Sequence, residues 1–127
     1  MLLLEPDSEA GAQLKTALER GGYRVREAMT TVELLGELGA AQESLDRPAL
    51  VVVSVSETDP GVLDILGAIE QSSGLPPCIA LVPKDRHDLR DRAFEIAVTA
   101  VVEKPCVPQT VVAIVAEEVP PGLVIAC

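Results

Sequence analysis

The chain has 127 residues, 20 acidic and 10 basic, with 48% apolar content and a net charge of −10. That length suits one domain burying about two-thirds of its unfolded surface, and so apolar a composition is not that of a disordered segment. The acid excess argues against nucleic acid, whose phosphates need clustered Lys and Arg, and against anionic lipid.

The first expected strand is Met1–Leu4, which runs directly into Glu5. With no basic n-region and no apolar run near the ~20 residues of a membrane span, a cytoplasmic protein without a membrane partner is expected. Asp7 is placed as the cap of a helix carrying Ala10, Leu14, Ala17 and Leu18 on one face and stopped by Gly21-Gly22. A second strand is placed at Tyr23–Arg26. Thr30-Thr31-Val32-Glu33 has the form of a capping box before Leu34, Leu38, Ala41 and Leu45.

Leu50–Val55 carries the clearest strand signal. Leu50-Val51-Val52-Val53 is continuously apolar rather than alternating, as in a parallel strand covered on both faces by helices. Asp59-Pro60 supplies a cap and a first-turn proline for a helix with Val62, Ile65, Leu66 and Ile69. Cys78–Val82 is the fourth strand, and Asp85 is placed at the start of a helix facing inward through Leu89, Ala93 and Ile96. Thr99–Val102 is the fifth strand, and Pro108 opens the last helix. There Thr110-Val111-Val112-Ala113-Ile114-Val115 is rich in β-branched residues, and local propensity favours a strand. A helix is expected instead, because the outer face of a parallel sheet has to be covered.

The outcome is an α/β chain with one domain over residues 1–119, followed by a break at Val119-Pro120-Pro121-Gly122 and an apolar tail, Leu123-Val124-Ile125-Ala126-Cys127. The tail is expected to pack on its own domain or a second copy, against the alternative of a frayed terminus. Cys78, Cys106 and Cys127 are far apart and His87 is the only histidine, so no metal framework of about four N/S ligands is expected. The thiols read as small apolar side chains.

In an open α/β sheet the functional groups lie at the carboxyl ends of the strands. Those ends carry Glu5-Pro6-Asp7, Ser54, Val82-Pro83 and Glu103-Lys104-Pro105. Four stretches together resemble the receiver (CheY-like) domain of two-component response regulators, over residues 1 to about 119. They are Leu2-Leu3-Leu4-Glu5-Pro6-Asp7, Arg47-Pro48 through Val53-Ser54, Pro77-Cys78-Ile79-Ala80-Leu81-Val82, and Ala93-Phe94-Glu95 on to Glu103-Lys104-Pro105. The resemblance implies a flavodoxin-like, doubly wound sheet in strand order 2-1-3-4-5, with two helices on one face and three on the other.

It also implies a degenerate site. The family's acidic pair after strand 1 reads Glu5-Pro6, with Asp7 one place late. The phosphoacceptor aspartate falls on Ser54, the hydroxyl that follows the phosphoryl group on Val82, and the aromatic switch residue on Val101. The pocket lysine is kept as Lys104. A serine cannot take a phosphoryl group as a carboxylate does without a base to remove its proton. Mg²⁺ needs hard oxygen ligands, so with Glu5 and Asp7 as remnants its binding is expected to be weak or absent.

Bland alternatives stand beside each of these. Lys104 is either an ion pair with Glu5 or a solvated lysine. Glu5 and Asp7 are also what a helix N-terminus favours. Ser54 reads equally as a strand-end hydroxyl bonded to backbone or water. Arg86, His87, Arg90 and Glu103 form either a solvated face or the partner surface that receivers use for dimerisation and output. The implied function is a pseudo-receiver, not an enzyme, acting on a histidine kinase or output protein, with a homodimer as one arrangement. The rivals are a phosphotransfer-competent receiver using Asp59 or Asp7, and a small flavodoxin-like ligand-binding domain. The last lacks a Gly-rich phosphate loop after strand 1.

Overall fold

The three inner strands of the sheet are buried along their whole length, and their successive side chains go to opposite faces. The computed structural model describes residues 1–5, 8–28, 30, 32–34, 36–37, 50–56, 61–72, 77–96, 98–104 and 107–118. The strands are β1 (Leu2–Leu4), β2 (Arg26–Ala28), β3 (Val51–Ser54), β4 (Cys78–Pro83) and β5 (Ala100–Lys104). The helices are α1 (Ser8–Arg20), α2 (helical at 32–34 and 36–37), α3 (Val62–Ser72), α4 (His87–Glu95) and α5 (Pro108–Glu118). All pairings are parallel, in the order β2-β1-β3-β4-β5, as expected.

Two cores lie on either side of the sheet. Leu2, Leu4, Val51, Val53, Ala80 and Val82 share one with Leu34 of α2, Leu63 and Leu66 of α3, and Leu89 and Ala93 of α4. Leu3, Val52, Ile79 and Leu81 share the other with Leu14 and Leu18 of α1 and Val111 and Val115 of α5. The β-branched α5 is therefore a helix because its buried valines fall four apart on one face, where packing overrides local propensity. Among the described residues no helix is long and apolar enough to cross a membrane.

Helix α1 ends where Gly21-Gly22 was expected to stop it. Tyr23 N–H donates to the Leu18 carbonyl and Gly22 N–H to that of Glu19, both at 3.1 Å, with Gly22 at φ 96°. That is a Schellman stop, which needs a residue tolerant of positive φ. It also corrects the second strand. Tyr23 belongs to the helix stop and its ring to the α1/α5 core, so β2 begins at Arg26, whose N–H donates to Met1 at 2.9 Å.

The Thr30 cap is observed, Glu33 N–H donating to the Thr30 hydroxyl at 3.1 Å. Asp85 is a second correction. It sits at φ 65° in the turn after β4, and Arg86 takes the N-cap position of α4 without a side-chain cap bond. Aspartate is one of the few residues that visits that region routinely. Asp7, Asp59-Pro60, Leu38, Ala41, Leu45 and the tail lie outside the described residues.

Candidate functional site

The carboxyl ends of β1, β3 and β5 bring three of the singled-out residues to one face. Glu5, Ser54 and Lys104 each lie two residues beyond a member or neighbour of the α1/α5 core, namely Leu3, Val52 and Val102. With the two-residue period of a strand, their side chains share that side of the sheet. Ser54 is buried at 2% exposure and Glu5 at 9%. Gly11 of α1 lies over Glu5, so close that an added Cβ would stand 3.5 Å from the Glu5 Cβ.

Lys104 closes the group. Its ammonium donates to the Ser54 hydroxyl and to the Val55 carbonyl, both at 2.8 Å. The sequence offers Lys104 either an ion pair with Glu5 or solvent, and Ser54 backbone or water; the structure pairs Lys104 and Ser54 with each other. The missed signal lies in the topology. Lysine has the reach to cross the end of β4 once β3 and β5 flank it.

Val82 and Val101 are on the opposite side. Val82 is fully buried in the core under α2, α3 and α4, and Val101, opposite Ala80 in the ladder, packs against it. Cys78 is in the same core, and burial pushes its thiol up to about 12. It is a buried apolar thiol, as its sequence context suggested.

The polar face of α4 has its own pairing. Arg86 forms a double hydrogen bond with Asp88, at 3.0 and 2.9 Å, which holds that carboxyl down at about 2. Arg90 reaches Glu103 of β5 at 3.8 Å, and Arg92 pairs with Asp64 of α3. His87 is exposed in the first turn. Among the described residues, no three His, Cys, Asp or Glu side chains stand together as a metal site.

The architecture has close counterparts among solved structures. The CheY-like receiver domain protein of Methanospirillum hungatei is similar with a TM-score of 0.76 and 18% identity, over 91% of this chain and 89% of that one. The receiver domain from Bermanella marisrubri gives 0.79 and 18% over 93% and 95%. A receiver domain protein of Clostridium thermocellum gives 0.74 and 20% over 93% and 91%. The fold is that of a response-regulator receiver domain. No protein-family model and no curated protein sequence matches the chain.

At these strand ends a hydrogen bond joins Lys104 of β5 to Ser54 of β3, with Glu5 on the same side of the sheet. The described acid there is Glu5, the cation is Lys104, and the hydroxyl already accepts from that cation. Such a group can tie β5 to β3. Position 54 carries a hydroxyl and not a carboxylate, and a hydroxyl attacks phosphorus only with a base to remove its proton.

Proposed function

We propose that this chain is a receiver-type signalling domain that does not accept a phosphoryl group and acts by binding a protein partner. The observation that carries this reading is the Lys104–Ser54 bond at 2.8 Å. The ammonium that would meet phosphoryl oxygens is held by a hydroxyl and a backbone carbonyl of the protein itself. Mg²⁺ binding at Glu5 and Asp7 is weak or absent, because serine at 54 and proline at 6 take two carboxylates out of the set of hard oxygen ligands. The partner is a histidine kinase or an output protein, engaged in one default state through the α4–β5 side, where Arg86, His87, Arg90 and Glu103 lie. A second copy of the chain is an alternative occupant of that side.

A ligand shifts a conformational equilibrium only through its differential affinity for the two states. With serine at 54 and valine at 82 and 101, a phosphoryl analogue has little to distinguish them. The test is an amide NMR titration with beryllofluoride and Mg²⁺, joined to mass spectrometry after incubation with acetyl phosphate. Silence in both supports the reading. Saturable shifts at Ser54, Val82 and Lys104, or an added phosphoryl mass on any aspartate, overturn it.

A further inference from the structure

Helix α5 is apolar on more sides than the sheet covers. Val111 and Val115 are buried in the core, Val112 and Ala116 are half-buried, and Gln109 and Ala113 are exposed. The last four follow one another at i, i+3, i+4 and i+7, so they form a single flank, and it carries no charge. Beside it, between α1 and α5, runs an open groove of about 660 Å³ whose walls include Ala12, Ala17, Pro108 and Val112. The one charged residue of those walls is Arg20, in the last turn of α1. Its neighbour Gly21 fixes its level along α5, since a Cβ added there would stand 3.4 Å from the Val112 side chain.

The charge pattern selects the occupant. The chain carries a net charge of −10, so two copies repel wherever their acids meet. The α4–β5 side exposes Asp88, Asp91, Glu95 and Glu103. The α1/α5 face offers apolar walls and a cation instead, and the matching acid lies on the same face, where Glu117 is exposed in the last turn of α5. A twofold axis between Ala113 and Ala116 sets two α5 helices antiparallel, with Ala113 of one copy opposite Ala116 of the other. In that register Glu117 of one copy stands level with Val112 of the other, beside Arg20.

We propose that a second copy of this chain docks on the α1/α5 face, α5 against α5, with Glu117 of each copy paired to Arg20 of the other. The contact is isologous, because one patch supplies the apolar flank and both charges, and it closes at two copies. Helices of 13 and 11 residues make a small face, so the pair forms reversibly, in the weak class of interfaces. The α4–β5 side stays open for a different partner.

The test is sedimentation equilibrium of the full chain over a concentration series, where a reversible dimer is expected. Arg20→Glu and Glu117→Arg should each weaken it about tenfold by turning an attraction into a repulsion, and the two together in one chain should restore it. Ala113→Arg, at an exposed helical position, should abolish the dimer and leave the thermal unfolding of dilute chain unchanged. Arg90→Glu on α4 should leave the dimer intact. A chain that stays monomeric up to about 1 mM would overturn the proposal. So would a dimer that the double exchange fails to restore, or one that survives Ala113→Arg and is lost with Arg90→Glu, which would put the contact on the α4–β5 side.

Discussion

Lys104 donates to the Ser54 hydroxyl at 2.8 Å although β4 lies between their strands. The same ammonium holds the Val55 carbonyl at 2.8 Å, so one side chain ties the third and fifth strands together across the fourth. Ser54 is 2% exposed, which leaves its hydroxyl little access to water if the donor is removed. Lys104→Met keeps much of the stem and removes both bonds. It should lower stability by about 1–3 kcal/mol, read as a lower urea midpoint at unchanged slope. Ser54→Ala, which leaves the half-exposed ammonium its carbonyl and water, should cost about 1 kcal/mol or less.

Rebuilding a phosphoacceptor should require more than one group at once. Ser54→Asp restores a carboxylate beside Lys104, but position 6 offers no second acid. Acetyl-phosphate labelling should stay absent in Ser54→Asp and appear in Ser54→Asp with Pro6→Asp. Val82→Thr alone should destabilise by about 1–3 kcal/mol, because position 82 is fully buried and the new hydroxyl enters an apolar core. Labelling of the unaltered chain would contradict the account.

The Cys78 thiol makes alkaline stability a reporter of the core. Its ordinary value is 9.0 and burial raises it to about 12 in the folded chain. Between those values the unfolded state binds fewer protons than the native one, so stability falls as pH rises; below 9.0 the contribution is fully present. Urea unfolding at stepped pH upward from 9.0 should show a shallower decline for Cys78→Ala than for the parent chain. Equal slopes would show that the thiol titrates alike in both states.

The α4–β5 side separates stability from binding. Arg90 and Glu103 are both 45% exposed, and their 3.8 Å pair is the kind that contributes about 1 kcal/mol or less. Arg90→Glu should therefore change the unfolding midpoint little while weakening the complex with whatever partner uses this surface. Calorimetric unfolding and a binding isotherm on the same variant check the two halves.

The strand run Leu50–Val53 was legible because a continuous apolar stretch has one economical explanation, a strand buried on both faces. Helix α5 was legible only through architecture, since its own residues favour a strand and it is the packing of Val111 and Val115 that decides. Tyr23 and Asp85 misled for a shared reason. Each sits at a chain reversal where backbone hydrogen bonds, invisible in composition, decide which residue ends one element and which begins the next. The partner of Lys104 was out of reach of local reasoning, because it depends on which strands flank β4 and how far a lysine extends. The two valines at 82 and 101 share a face with each other and not with Ser54, which only strand parity reveals.

Leu3 and Leu4 are adjacent in the chain and belong to different interiors, one under α1 and α5 and the other under α2, α3 and α4. The sheet thus acts as a partition, and thermodynamic coupling should follow the partition rather than the sequence. Leu3→Ala combined with Val115→Ala should deviate from the sum of the single changes. Leu3→Ala combined with Leu63→Ala should add to within about 0.5 kcal/mol. Substitutions on the α1/α5 side are therefore free to vary with little regard to those that accumulate beneath α4, and the two half-cores can drift independently around one shared backbone.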